Sequence, residues 1–187
     1  MYRIILLNHF RGLPELMDPI NDNIRYAKLQ KILQHSDPET TICVGNELVY
    51  YGGPKEDKKI GCIRSLAEDD GFRWVDYSDE TLEEIINIIS KPQNNTHNVL
   101  HEGINMTPEN CIIILGGTNT AGCVLQNSNV CARRWVDKGY NVQFHLSMCA
   151  DYQSAGINQA DKNQMAFALM YNYIKENNLI DKIDVFY

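Results

Sequence analysis

One cysteine of this chain stands where a thiol can do chemistry. Gly116-Gly117-Thr118-Asn119-Thr120-Ala121-Gly122-Cys123-Val124-Leu125 follows an apolar run at residues 111–115 and opens a helical pattern, so Cys123 sits at a helix start behind a glycine-rich turn. The first turn of a helix offers amides that have no acceptor inside it, and the positive end of the dipole lies there. Such a position favours a thiolate and can hold an oxyanion. The alternative is a βα loop whose glycines permit a tight turn, with Cys123 as a small buried apolar residue. Partners decide between the two. Lys91, in Ile88-Ile89-Ser90-Lys91-Pro92, follows an apolar run and precedes a proline that blocks helical continuation. On its own it reads as a solvated cation at a helix end. Asn8 and Gly45 end strand patterns and complete the set.

Three other constellations carry less. Gly117 and Gly122 have the spacing of a phosphate-binding loop, but Cys123-Val124 stand where that loop needs Lys and then Ser or Thr, which argues against nucleotide hydrolysis. His97 and His101 have helical spacing, yet Glu102 does not make a His-Glu-x-x-His pattern, and a solvated helix face is the better reading. A cysteine-peptidase pairing of Cys123 with His145 places the histidine mid-strand with no residue to orient it.

The elements that must position Cys123 alternate along the chain. Strands are predicted at residues 3–8, 40–44, 72–77, 111–115, 140–146 and 183–187. Helices are predicted at 23–34, from the Ser78-Asp79-Glu80-Thr81 run onward, at 123–138 with Gly139 as its stop, and at 159–177. Residues 45–71 show no clear pattern beyond a turn at Gly52-Gly53-Pro54. Nearly continuous apolar strands separated by helices imply a three-layer α/β/α fold with a mostly parallel, roughly six-stranded sheet, and no repeat or linker divides residues 1–187 into more than one domain. Ligands of such sheets sit outside the carboxyl ends of the strands.

Composition sets the remaining bounds. With 187 residues and 44% apolar content the chain can bury a sizeable core, and a net charge of −7 argues against nucleic acid or an anionic membrane as partner. No run approaches membrane length and no secretory signal precedes the first strand, so a cytoplasmic protein is expected. Six cysteines (43, 62, 111, 123, 131 and 149) without a Cys-x-x-Cys read as free thiols and not as a zinc site or a disulfide framework.

The stretch Ile112 through Leu125, continuing through Ala132, Gly139-Tyr140-Asn141-Val142 and Asp151, resembles the isochorismatase-like cysteine hydrolases, which include nicotinamidases and carbamoyl-amide hydrolases. The resemblance implies a three-layer α/β protein, commonly a homo-oligomer, with an Asp, Lys and Cys triad and a backbone oxyanion hole just before the cysteine. It implies that Cys123 attacks a small amide, ester or vinyl ether and forms a thioester, that Lys91 holds the thiolate, and that Thr118, Asn119 and Gly122 shape the oxyanion turn. No cofactor is implied.

Two positions depart from the family. Asn8 stands where the family's aspartate ends the first strand, and an amide cannot take a thiol proton as a carboxylate does; His9 and Glu47 are the candidate substitutes. Residues 45–71 also lack the histidine that follows the second strand in nicotinamidases, which argues against a metal site of that type. Two functions follow: a metal-independent cysteine hydrolase, or a catalytically silent relative that binds a small molecule or a partner protein.

Overall fold

The computed structural model describes residues 1–8, 19–45, 62–76, 80–118, 120–150 and 159–186. Strand β1 (Tyr2–Asn8) is followed by α1 (Pro19–Gln34), β2 (Thr41–Gly45), α2 (Cys62–Asp69), β3 (Arg73–Asp76) and α3 (Leu82–Ile89). A small antiparallel hairpin, β4 (Gln93–Asn94) and β5 (Leu100–His101), then precedes β6 (Cys111–Thr118). A π-helix (Thr120–Asn127), α4 (Ala132–Asp137), β7 (Asn141–Ala150), α5 (Gln159–Glu176) and β8 (Ile183–Phe186) complete the order.

Six strands pair in parallel in the order β3-β2-β1-β6-β7-β8. Alternation along β1 explains the layers. Ile4 and Leu6 join a buried cluster with Ile85 and Ile89 of α3, Trp135 of α4 and Met170 and Ile174 of α5. Ile5 and Leu7 point the other way, into a second cluster with Leu29 and Leu33 of α1 and Ala67 of α2. A strand buried on both faces has no polar side to show, which is why β1 reads as a continuous apolar run. Right-handed crossovers put α1 and α2 on one face as the chain steps from β1 to β3. The same handedness puts the later helices on the other face as it steps from β6 to β8.

Several element ends differ from the sequence reading. The helix expected over 123–138 is two helices, divided at Ser128-Asn129, residue types whose side chains compete with helical hydrogen bonding. Gly139 does end α4: at φ +92° its amide bonds Val136 O and that of Tyr140 bonds Trp135 O, while the Tyr140 ring meets Trp135 edge-on at 5.2 Å. Thr81 and Glu84 cap α3 reciprocally, a Thr-x-x-Glu signal present in the sequence. Residues 45–71, unreadable as sequence, contain α2. His97 and His101 are not on a helix. They belong to the β4–β5 hairpin, which is turned by Asn95, whose Oδ1 accepts the amides of His97 and Val99.

A single buried side chain fastens that hairpin and the end of α3 to the sheet. Arg73, 3% exposed at the start of β3, donates to the carbonyls of Ile88, Ile89, Lys91 and Glu102 and to Gln93 Oε1. Burial pushes its pKa down. The planar guanidinium fork matches several acceptors at once, as an ammonium cannot. Arg73→Met should leave those carbonyls without a donor and cost on the order of 3 kcal/mol or more, with Arg73→Lys recovering only part. Urea denaturation of the three proteins checks this; a loss under about 0.5 kcal/mol, as for a surface site, would refute the clasp role.

Candidate functional site

The direction of chain travel reverses between β1 and β6. From β1 the chain moves outward to β2 and β3, then returns to the other side of β1 to form β6 and continues to β7 and β8. At such a switch point the connections leave in opposite directions and open a crevice outside the carboxyl ends of the two strands. Asn8, the last residue of β1, is paired there with Gly117 of β6. Gly117 has φ +154°, a conformation open essentially to glycine alone, and Gly116 leaves no room for a Cβ, which would lie 2.8 Å from the Met148 Cβ.

Cys123 lies in the first turn of the π-helix that follows β6 at this switch point. Short π segments recur at functional sites, and this one packs on β6, α4 and α5, with Val124 and Leu125 buried. Cys123 itself is half-buried, whereas Cys43, Cys111, Cys131 and Cys149 are buried. Gly122 is half-buried beside it, Asn8 and Thr118 are placed by their backbones at the ends of β1 and β6, and Asn119, His9, Glu47 and Asp151 lie outside the described residues.

Lys91 is not brought to Cys123. It is exposed, and its carbonyl is bonded to Arg73 at the amino end of β3. Arg73 is level with Ile42, which is level with Ile4 and so with Ile113, five residues short of Thr118. At about 3.3 Å per residue and 4.8 Å per strand, that is about 16 Å along the sheet and about 14 Å across it. The reason is topological: a helix following a parallel strand runs back toward the amino edge, so the end of α3 faces away from the crevice. The family resemblance, which matches position along the chain, carried no information about which edge the lysine would occupy.

The carboxyl end of β3 holds different chemistry, which the sequence reading missed. Asp76 accepts from Trp74 Nε1 at 2.8 Å and from Arg64 at 3.0 Å, and Arg64 also pairs with the buried Glu68 at 3.2 Å. The Trp74 indole occupies the space where a side chain at Gly45 would lie, 2.6 Å from its Cβ position, so β2 ends flush beneath it. Asp76 ends β3 as Asn8 ends β1, one residue short of the strand predicted over 72–77.

His145 is separated from Cys123 by the sheet. Its neighbour Phe144 lies in the cluster shared with α5, while its own ring stacks on Phe186 at 5.1 Å and feels the charge of Lys28 on α1. A Cys123–His145 pair is therefore not formed. Burial, and then Lys28, lower the His145 pKa to about 4. Among the described residues, no three His, Cys, Asp or Glu side chains group as a metal would require. His97 instead pairs with Asp69 at 2.9 Å.

No family model matches the sequence, and no curated protein sequence does. Among solved structures, the nicotinamidase of Staphylococcus aureus matches with a TM-score of 0.53 and 12% identity, over 99% of this chain and 97% of that one. The chain shares the fold of that nicotinamidase. A ribonuclease of Caenorhabditis elegans matches with a TM-score of 0.47 and 11% identity, over 91% of this chain and 72% of that one. At these identities the likeness is one of fold. No helix among the described residues is long and apolar enough to cross a membrane.

Two measurements follow from this geometry. In the folded protein Cys123 should be alkylated before Cys43, Cys111, Cys131 and Cys149, and Cys43, whose thiol burial pushes up to about 12, should react only on unfolding. Time-resolved mass mapping reads the order, and faster labelling of any buried cysteine would overturn it. For His145, the folded state resists a proton that the unfolded chain accepts near its ordinary value of about 6.5. Its contribution to stability is therefore fully present above pH ~6.5 and lost as pH falls toward about 4. His145→Gln should flatten the acid side of the stability profile relative to the parent; parallel profiles would refute the assignment.

Proposed function

We propose that the chain is an isochorismatase-like protein whose switch-point crevice binds a small carbonyl-bearing molecule beside Cys123 without efficient turnover. The observation that carries this reading is the separation of Lys91 from Cys123. Asn8 at the end of β1 reinforces it, because an amide supplies no base. Attack by Cys123 on a carbonyl would place the new oxyanion against the amides of the helix start. Expulsion of the leaving group then needs a proton, and subsequent attack by water needs a base. Neither Asn8 nor Lys91 provides these, and loss of general acid–base assistance costs about two to four orders of magnitude in rate.

A second reading is favoured by the half-exposed position of Cys123 in a first helical turn. In it the chain is a metal-independent cysteine hydrolase of a small amide, ester or vinyl ether, working through a thioester, with its base drawn from elsewhere in the chain.

Steady-state rates on a panel of small amides and esters separate the two readings. Under the proposed one, the parent and Cys123→Ala have equal rates, although amides from the panel still raise the melting temperature of the parent. Asn8→Asp raises the rate by on the order of tenfold or more, and the gain disappears when Cys123→Ala is added. A parent rate a hundredfold or more above that of Cys123→Ala would establish the hydrolase instead.

A further inference from the structure

A second thiol shares the crevice edge with Cys123. Cys149, near the carboxyl end of β7, is paired across the ladder with Gly117, the residue that Asn8 flanks from the other side. Neighbouring strands lie only about 4.8 Å apart, so Cys149 stands one strand over from the turn that leads into the π-helix. It also faces the right way: Cys149 belongs to the same buried cluster as Val124 and Leu125, the two residues that follow Cys123. Cys149 and the two residues that follow Cys123 thus lie on one face of the sheet; Cys123 is half-buried and Cys149 is 7% exposed. The other buried cysteines are elsewhere: Cys111 begins β6 at the opposite edge, Cys43 lies in the cluster on the other face, and Cys131 is fully buried at the start of α4.

We infer that Cys149 is a resolving thiol for Cys123, so that a peroxide reversibly converts the pair to a disulfide. The inference rests on Cys123 being the reactive thiol of that crevice, not on hydrolysis. An accessible thiol beside a sheltered one is the arrangement that redox-sensing cysteines use. The Cys123 thiolate attacks one peroxide oxygen, the O–O bond breaks, and the second oxygen leaves as water once protonated. Cys149 then attacks the sulfenic sulfur; the S–S bond forms, the S–O bond breaks, and the hydroxyl leaves as water with the Cys149 proton. Two thiols and one hydrogen peroxide give one disulfide and two waters. A disulfide needs Cα atoms about 4.4–6.8 Å apart, and rewinding the short π-helix by one position to α-helical pairing would let Cys123 shift locally.

The test treats the full chain with hydrogen peroxide, alkylates remaining thiols under denaturing conditions and maps peptides without reduction. The expected product is a Cys123–Cys149 cross-linked peptide, lighter by two hydrogens and lost on treatment with dithiothreitol. In Cys149→Ser, and separately in Cys149→Ala, the cross-link should be lost and Cys123 should carry two or three added oxygens. If Cys123 of the parent is oxidised to those acids at the same rate as in the variants, or bridges to Cys131 or to a second chain, the resolving role of Cys149 is overturned. If Cys123 stays reduced while other cysteines oxidise, its standing as the reactive thiol of the crevice falls as well.

Discussion

Strand β1 is held on both sides, by β2 and by β6, and the placement of the switch point depends on that double pairing. Its side chains alternate between two separate cores, so a slip of one residue would exchange Ile4 and Leu6 with Ile5 and Leu7 and misfit both. Burial of both sets therefore fixes where β1 ends relative to β6. The Asn8–Gly117 pair, the opening of the crevice and the point from which the π-helix departs all follow from that register.

The two edges of the sheet have different chemistry. The amino edge is tied down: Arg73 gathers the carbonyls of α3 and of the following segment, Glu68 accepts from Thr96, and His97 pairs with Asp69, so the hairpin is fastened at several points. The carboxyl edge carries Cys123 and Asp76. Cys123 is half-buried there, and the Asp76 carboxylate, held by Trp74 and Arg64, remains open to solvent. Lys91 belongs to the first edge. Its backbone is part of the clasp and its side chain is exposed.

The charge pattern of the carboxyl edge consequently differs from that of the hydrolases the sequence resembles. Where those end the first strand in an acid, this chain has an amide. At the end of β3 it has an acid engaged with an arginine. Cys149, one strand over from Gly117, is the nearest cysteine along the ladder to the end of β6.

Local signals determined the strands and most helices. Runs such as Ile4-Ile5-Leu6-Leu7 can only be buried on both faces, Gly139 can adopt the conformation that ends α4, and glycines before Cys123 mark a strand-to-helix turn, so the three-layer parallel fold and the helix-start cysteine were legible from residue types alone. What the sequence could not show was which edge of the sheet each residue reaches. Lys91 looked like a partner of Cys123 only through the family resemblance, yet the reversal of α3 relative to β3 carried it to the far edge. Asp76 and Cys149 looked ordinary and were brought to the near edge by the strand order. His97 and His101 had helical spacing but lie in a hairpin, because Asn95 supplies a turn that periodicity does not register. Proximity across strands is set by the pairing order and the direction of each crossover, and those are decided by the joint burial of all the strands, which no local pattern contains.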